Sequence, residues 1–379
     1  MQIHDKELKR IKVCNIITGM GIGGAETMLY NLQKYKSTPN IQYVVVSLSS
    51  KGGMIQKYIE EGFDFVLVDL KKEPLKSFKQ LITIVKSSDV VSCWMYHSNF
   101  IGYIVNKFAK CKKLIWNIRN TDISRKKNSR SMFFCNYFCK KWSKNVDLIT
   151  YNGEVSYQEH LIYGYTNKNY VILNNGCDTD LFNAKFCNDS LIREELNIPA
   201  DKKIVLSVGR YNVLKDIPNF IYALAQNKGK HNFVGVMCGR NIDVKNKELI
   251  NLIKTSNLKI KEDVLLLGER SDINRIMASS YVYVMHSQSE AFSNTLIQAM
   301  SCAIPVISTD AGVSRDVMVN KDLVSHVGDY VGLANNLDKV LSFDSKQIEQ
   351  EKINNRNRIV ENYDIRNIVK QYEKIYLNV

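Results

Sequence analysis

Apolar runs of strand length alternate with amphipathic runs of helix length along the whole chain. In the first half the strand-like runs are IKVCNII, QYVVVSL, FDFVLVD, DVVSCWMY, KLIWNI, VDLITY and YVILNNG. After the polar, irregular NAKFCNDS a second series begins, with KIVLSVG, NFVGVMCG, VLLLGE, YVYVMHS and IPVIST. Strands that alternate with helices form parallel sheets covered by helices on both faces. The break near residues 180–195 therefore predicts two doubly wound α/β domains. Ligands of such sheets sit at the carboxyl ends of the strands, so the expected site is a cleft between the domains.

Composition narrows the class. The 379 residues are enough for two ordinary domains, and 45% apolar with 24% charged content is that of a globular protein. No apolar run approaches the roughly 18 residues that cross a bilayer. The charged start MQIHDKELKRIK, followed by an apolar run broken at Asn15 and Gly19, argues against a signal peptide. Nine scattered cysteines without a C-x-x-C pair fit free thiols in a reducing cytoplasm, and the six histidines never join them at metal-ligand spacing.

The net charge of +14 is unevenly spread. Twelve Lys or Arg residues lie between Lys107 and Lys144, opposed only by Asp122, and Phe134, Phe138 and Trp142 fall at helical spacing within that run. A basic helix with an aromatic stripe is expected on an anionic membrane surface; the alternative is a core helix with a solvated basic back. No nucleic-acid recognition module accompanies the charge, so nucleic acid is not an expected partner.

Two stretches carry chemistry. VCNIITGMGIGGAETMLYNL places G-x-G-x-x-G between a strand and a helix. The second strand ends on Ser47 to Ser50, however, where a dinucleotide site needs an acid. The glycines then indicate close approach of a phosphate or sugar to backbone N–H groups, without adenosine recognition. Downstream, VLSVGRYNVLKD sets Arg210 and Lys215 at a strand's carboxyl end, a pairing suited to a diphosphate. In SQSEAFSNTLIQAM, Glu290 precedes a helix opened by Asn294 and Thr295, whose first N–H groups form an anion site from Phe292 to Thr295.

Taken together these residues resemble the retaining glycosyltransferase family four, and within it the bacterial enzymes that build surface polysaccharides. GGAE at Gly23 to Glu26 is similar to the family's glycine loop, with Gly23 and Gly24 beside the donor phosphate. SCWMYHSNFIG with His97, and LIWNIRNTD with Arg119, resemble the surface-polysaccharide subgroup. LNNGCDTDLF resembles the interdomain P-N-G-x-D turn, GRYNVLKD the diphosphate clamp, and SEAFSNTLIQAM the E-x7-E signature. YDIRNIVKQYEKIYL resembles the last helix, which crosses back onto the first domain.

The resemblance implies the GT-B fold: an acceptor-side domain over 1–182, a nucleotide-sugar domain over 195–360, and a crossover helix over 361–379. It implies retaining transfer of a hexose or N-acetylhexosamine from a UDP-linked donor to a lipid-linked glycan of O-antigen or capsule, at the cytoplasmic face of the membrane. Catalytic roles fall to Arg210, Lys215, Glu290 and His97. Donor contacts fall to Gly23, Gly24, Arg119, Phe292, Ser293, Asn294, Thr295 and Gln298. No cofactor or metal is implied, since the two cations replace Mg²⁺ at the diphosphate. The signature departs from the usual pattern at Ala291, Ser293 and Gln298. Gln298 stands where the family has Glu, so a neutral amide would meet the ribose hydroxyls. A sugar-nucleotide epimerase of the same fold and a non-catalytic sugar-nucleotide binder are the alternatives.

Overall fold

The computed structural model describes residues 10–21, 23–121, 123, 129–187 and 189–378. The charged N-terminal stretch through Lys9, Ile22 of the glycine turn, and Asp122, Arg125, Lys126 and Lys127 of the basic run lie outside the described residues. The chain divides into two compact units, 1–175 with 365–379, and 176–364.

The first unit is built on seven strands: β1 (Ile11–Ile17), β2 (Ile41–Ser47), β3 (Phe65–Leu67), β4 (Val90–Trp94), β5 (Lys113–Ile118), β6 (Leu148–Tyr151) and β7 (Tyr170–Ile172). Their order is β3-β2-β1-β4-β5-β6-β7, with every pairing parallel. Because both faces are covered, the strands are apolar at successive positions rather than at alternate ones. In β1, Cys14 and Ile16 enter one core cluster, while Val13 and Ile17 enter the other. The first cluster takes in Tyr103 and Cys139 from the helices Met95–Ala109 and Arg130–Trp142. The second takes in Leu29 from Gly24–Lys34, and Ile365, Val369, Tyr372 and Tyr376 from Ile365–Leu377.

Polar residues cross the middle of this sheet. Asn117 Nδ2 donates to Ser92 Oγ at 2.8 Å, Thr150 Oγ1 donates to Asn117 Oδ1 at 2.8 Å, and Ser92 Oγ shares a 3.0 Å bond with Tyr376 Oη. Each group is buried, so each bond compensates a desolvation that would otherwise cost about 1–3 kcal/mol.

The aromatic stripe is largely core. Phe134, Phe138 and Trp142 pack on Phe100, with ring centroids at 5.9, 5.9 and 5.4 Å, and Trp142 stacks on Tyr103 at 4.7 Å. Of the three stripe residues only Phe134 remains exposed, at 54%. The helix Met95–Ala109 supplies the partners, and the stripe's spacing alone cannot reveal that.

The second unit has six strands: β8 (Lys203–Val208), β9 (Phe233–Cys238), β10 (Val264–Leu266), β11 (Val282–Met285), β12 (Val306–Thr309) and β13 (Val324–Ser325). Their order is β10-β9-β8-β11-β12-β13, again all parallel. Residues 176–182, expected in the first domain, belong here. Cys177 N donates to Tyr363 O at 2.8 Å, Thr179 Oγ1 bonds Asp364, and Arg356 Nη2 donates to Thr179 O at 3.0 Å.

Two buried histidines make the fold acid-sensitive. His160 lies between Tyr96 Oη at 2.8 Å and Ser156 O at 2.7 Å, and His286 between Ser207 Oγ and Lys215 O. Burial pushes each down to about 4. Below the ordinary histidine value near 6.5 the unfolded chain takes up protons that the native state refuses, so stability is lost as pH falls from about 6.5 to about 4, by roughly 3 kcal/mol per histidine. Thermal melting followed by circular dichroism should show a midpoint falling through this window. His160→Gln should flatten the fall, and an unchanged slope would contradict the assignment.

Candidate active site

Strand order reverses between β1 and β4 in the first unit, and between β8 and β11 in the second. Connections leaving neighbouring strands in opposite directions open a crevice at their carboxyl ends. The residues selected from sequence cluster at these two points.

In the second unit, β8 runs into Gly209 and Arg210. A Cβ on Gly209 would stand 3.4 Å from Cδ and Cε of Lys215, so the bare glycine lets the Lys215 stem lie across the strand end. Asn212 Oδ1 accepts from Leu214 N at 2.9 Å and starts the short 3-10 turn Val213–Lys215. Asp216 follows in the left-handed region at φ 49°, and the helix Ile217–Asn227 begins with Pro218 in its first turn. This turn folds Lys215 toward the loop after β11, where Gln288 N donates to Leu214 O at 2.8 Å.

Lys215 Nζ lies 2.5 Å from Glu290 Oε1, which also accepts from Ser287 Oγ at 2.8 Å. Ser287 O in turn accepts from Thr309 Oγ1 at 2.6 Å. The sequence reading gave Lys215 and Glu290 separate roles; the structure makes them one ion pair, with side chains 23% and 17% exposed. A lysine ammonium has three donors, so Lys215 can keep Glu290 and still offer N–H to a second anion. Arg210 is exposed and forms no ion pair with a described residue. Gly312, at φ 64°, closes the loop from below: a Cβ there would stand 2.1 Å from Glu290 O.

The helix Asn294–Ser301 follows. Ser293 caps it, its Oγ accepting from Leu296 N at 3.4 Å, and Tyr283 Oη donates to Thr295 Oγ1 at 2.7 Å. The side chain of Phe292 is buried and packs on Tyr363 at 5.7 Å, so only its backbone faces the loop's chemistry. Gln298 is half-buried one turn in, with no side-chain hydrogen bond among the described residues.

In the first unit His97 lies in the first turn of Met95–Ala109, after Met95 at φ 71°. Backbone strain of this kind collects at functional turns. His97 Nε2 lies 3.1 Å from Ser131 Oγ, and burial together with Lys71 lowers its pKa, favouring the neutral ring. Gly23 is the N-cap of Gly24–Lys34, and a Cβ there would stand 2.6 Å from Glu26 Oε2. The Glu26 carboxylate thus lies over the glycine turn where a phosphate was expected, and burial raises its pKa.

Arg119 is corrected. Its Nη1 donates to Leu173 O at 2.9 Å and Asn175 Oδ1 at 3.1 Å, and its guanidinium lies 5.2 Å from Trp94 and 5.5 Å from Tyr372, two rings that stack on each other at 5.8 Å. Burial pushes its pKa down to about 9. The group ties β5 to the chain beyond β7 and to the last helix, and is not presented to a donor.

Residues 188–362 match the model of the family described as "Glycosyl transferases group 1". The second unit carries a group 1 glycosyl transferase domain. Arg210, Lys215, Glu290 and Gln298 all lie inside this group 1 domain. N-acetyl-alpha-D-glucosaminyl L-malate synthase of Bacillus anthracis is 26% identical over 190 residues, which span 50% of this chain and 49% of that one. The chain thus spans about half the length of that relative. The UDP-Gal:alpha-D-GlcNAc-diphosphoundecaprenol alpha-1,3-galactosyltransferase of Escherichia coli is 23% identical over 97% of this chain and 96% of its own. Among solved structures, Anabaena HepE in complex with UDP and glucose superposes with a TM-score of 0.84 at 19% identity, covering 98% of this chain and 100% of that one. The fold is GT-B, with the group 1 domain as its second doubly wound unit.

Two features of the group 1 domain escaped the sequence reading. His286 precedes Glu290 by four residues, and a histidine closing an otherwise apolar strand was the available signal. Gly312 was legible only as a turn, since its closeness to Glu290 is a tertiary fact.

Proposed function

We propose that this protein is a retaining glycosyltransferase that moves a hexose or N-acetylhexosamine from a UDP-linked donor to a lipid-linked glycan in bacterial surface-polysaccharide synthesis. The observation that carries the reading is the arrangement at the β8–β11 switch point. There an exposed Arg210, the Lys215–Glu290 pair and the start of Asn294–Ser301 gather within a group 1 domain. Support for the donor comes from HepE, solved with UDP and glucose, and for the acceptor from the diphosphoundecaprenol galactosyltransferase.

The barrier is departure of a diphosphate from an oxocarbenium-like carbon. Arg210 grips phosphate oxygens with its planar fork, and Lys215 adds a compact charge. N–H groups at the start of Asn294–Ser301 add fixed dipoles. Each preorganised donor is worth roughly 2.7–4 kcal/mol at the transition state. The leaving phosphate takes the acceptor proton on the same face, so no enzyme nucleophile is needed. Glu290 holds Lys215 and donor-sugar hydroxyls, and Gln298 meets the ribose. The cations neutralise the diphosphate in place of a metal.

Incubating the protein with a panel of UDP- and GDP-sugars and a lipid-diphosphate sugar acceptor, in EDTA, tests this. The expected result is UDP release coupled to an α-linked product. A new UDP-sugar formed without acceptor would mean epimerisation, and activity that requires Mg²⁺ or Mn²⁺ would overturn the metal-free clamp.

The acceptor's lipid places the enzyme, in this reading, at the inner face of the cell membrane. Among the described residues no helix is long and apolar enough to cross a membrane. Lys107, Lys110, Lys141 and Lys144 are exposed in the basic run, together with Phe108 at 65% and Phe134 at 54%. Anionic lipid contributes about 1 kcal/mol per Lys or Arg near its surface. The protein should sediment with phosphatidylglycerol vesicles at low salt and release in high salt. Changing those four lysines to Glu should abolish sedimentation, and a wild-type protein that ignores the vesicles would remove the proposal.

A further inference from the structure

His286 is a buried ionisable group beside the candidate site. It follows β11 and stacks on Phe220 of the helix Ile217–Asn227, with centroids 5.1 Å apart and ring planes at 25°. Both ring nitrogens are engaged: Nδ1 lies 2.5 Å from Lys215 O, and Nε2 lies 2.6 Å from Ser207 Oγ on β8. A carbonyl only accepts, so Nδ1 carries the proton. Burial keeps the ring neutral, so Nε2 is an acceptor and Ser207 its donor. The tautomer is set by its two neighbours, and the ring joins β8, β11 and the turn that ends on Lys215.

Among the described residues His286 is the side-chain donor to the Lys215 carbonyl. Asp216 sits in the left-handed region, at φ 49°, immediately after Lys215. Besides the turn's own bonds, the tie given by Gln288 N to Leu214 O is one residue upstream. The bond from His286 reaches the Lys215 carbonyl itself, on the residue whose ammonium meets Glu290.

We propose that His286 is a positioning residue for the transfer reaction: its Nδ1–H bond to the Lys215 carbonyl, locked by Ser207 at Nε2, holds the Lys215 ammonium at the place where the diphosphate's charge develops. This rests on the functional reading above. A residue that acts through Lys215 should matter for turnover more than for donor binding, and should not matter once Lys215 is gone.

The test is a double-mutant cycle on UDP release from the most reactive UDP-sugar, with folding checked by thermal melting. His286→Phe keeps the stack and loses both hydrogen bonds. Its kcat should fall 10- to 100-fold, with donor KM changed less than about threefold. His286→Asn can still offer an N–H to Lys215 O and should recover to within about fivefold of wild type. In a Lys215→Ala background His286→Phe should cost nothing further.

A folded His286→Phe protein with wild-type kcat, or losses that multiply in the double mutant, would overturn the proposal. So would an Asn variant no better than Phe. Should His286→Phe fail to fold, Ser207→Ala carries the test: kcat should fall three- to tenfold, again only when Lys215 is present, and no change overturns the role. If Lys215→Ala is as active as wild type, the clamp reading fails and this inference with it. A crippled Lys215→Ala beside a normal His286→Phe removes only the role of His286.

Discussion

Arg210→Ala and Lys215→Ala should each lower turnover at least 100-fold while melting within a few degrees of the wild-type protein. Arg210 is exposed and unpaired among the described residues, so its loss removes no packing. Lys215 gives up its contact with Glu290, but both side chains are partly solvated, which limits the stability cost. The loss in rate follows from chemistry: the leaving diphosphate gains charge in the transition state, and one preorganised donor is worth roughly 2.7–4 kcal/mol there, or about 10²–10³ in rate. Lys215→Arg keeps the charge, but its fork cannot follow the same path over Gly209, so recovery should be partial. Steady-state kinetics with both single mutants decide the matter. Turnover near wild type in both would place the leaving group elsewhere.

Gly312→Ala should lower both stability and turnover, because it strikes the loop that carries Glu290. The new methyl would stand 2.1 Å from Glu290 O and 2.8 Å from its carbonyl carbon, closer than any Cβ is found. The left-handed φ of 64° adds about 1–2 kcal/mol for a residue with a side chain, and backbone displacement about 1–3 kcal/mol more. The melting midpoint should fall by roughly 5–15 °C, given about 2–4 °C per kcal/mol in a unit of this size. Turnover should fall at least tenfold, since a shift near 1 Å in a positioned group can cost about 10²-fold. Gly328→Ala is the control: it also has positive φ, at 77°, but meets nothing within 4 Å. Equal effects of the two substitutions would show that backbone conformation alone matters and that contact with Glu290 does not.

The strands were legible because burial on both faces makes them continuous apolar runs, and the helices between them because their faces differ. β13 was not, since two residues carry no periodicity. Arg210 and Lys215 were visible because five residues of chain bring them to one strand end. The partner of Lys215, Glu290, was visible as a residue, but its pairing depends on β11 lying beside β8, a neighbour in space and not in sequence. Arg119 shows the opposite failure. An arginine closing a strand looks like a ligand group until Tyr372, more than 250 positions away, is seen to cover it. The aromatic stripe stayed open between core and membrane surface for the same reason, as its spacing states only that one face is apolar and Phe100 and Tyr103 decide what that face meets.

The helix Ile365–Leu377 has a consequence for the order in which the protein assembles. Its Ile365, Ile368, Val369, Tyr372 and Tyr376 belong to the core of a unit whose other residues end at Asn175. A ribosome finishes every residue of 176–364 before it makes this helix. The later-encoded unit therefore has all its residues first, while the earlier one waits with Val13, Ile17, Leu29 and Trp94 lacking their cover. At synthesis rates of about 5–20 residues per second, that wait lasts roughly 10–40 seconds. An apolar sheet face left open for so long is a natural client for a chaperone. A gene fragment ending near residue 364 should yield aggregates, whereas one encoding 176–364 alone should yield a folded unit.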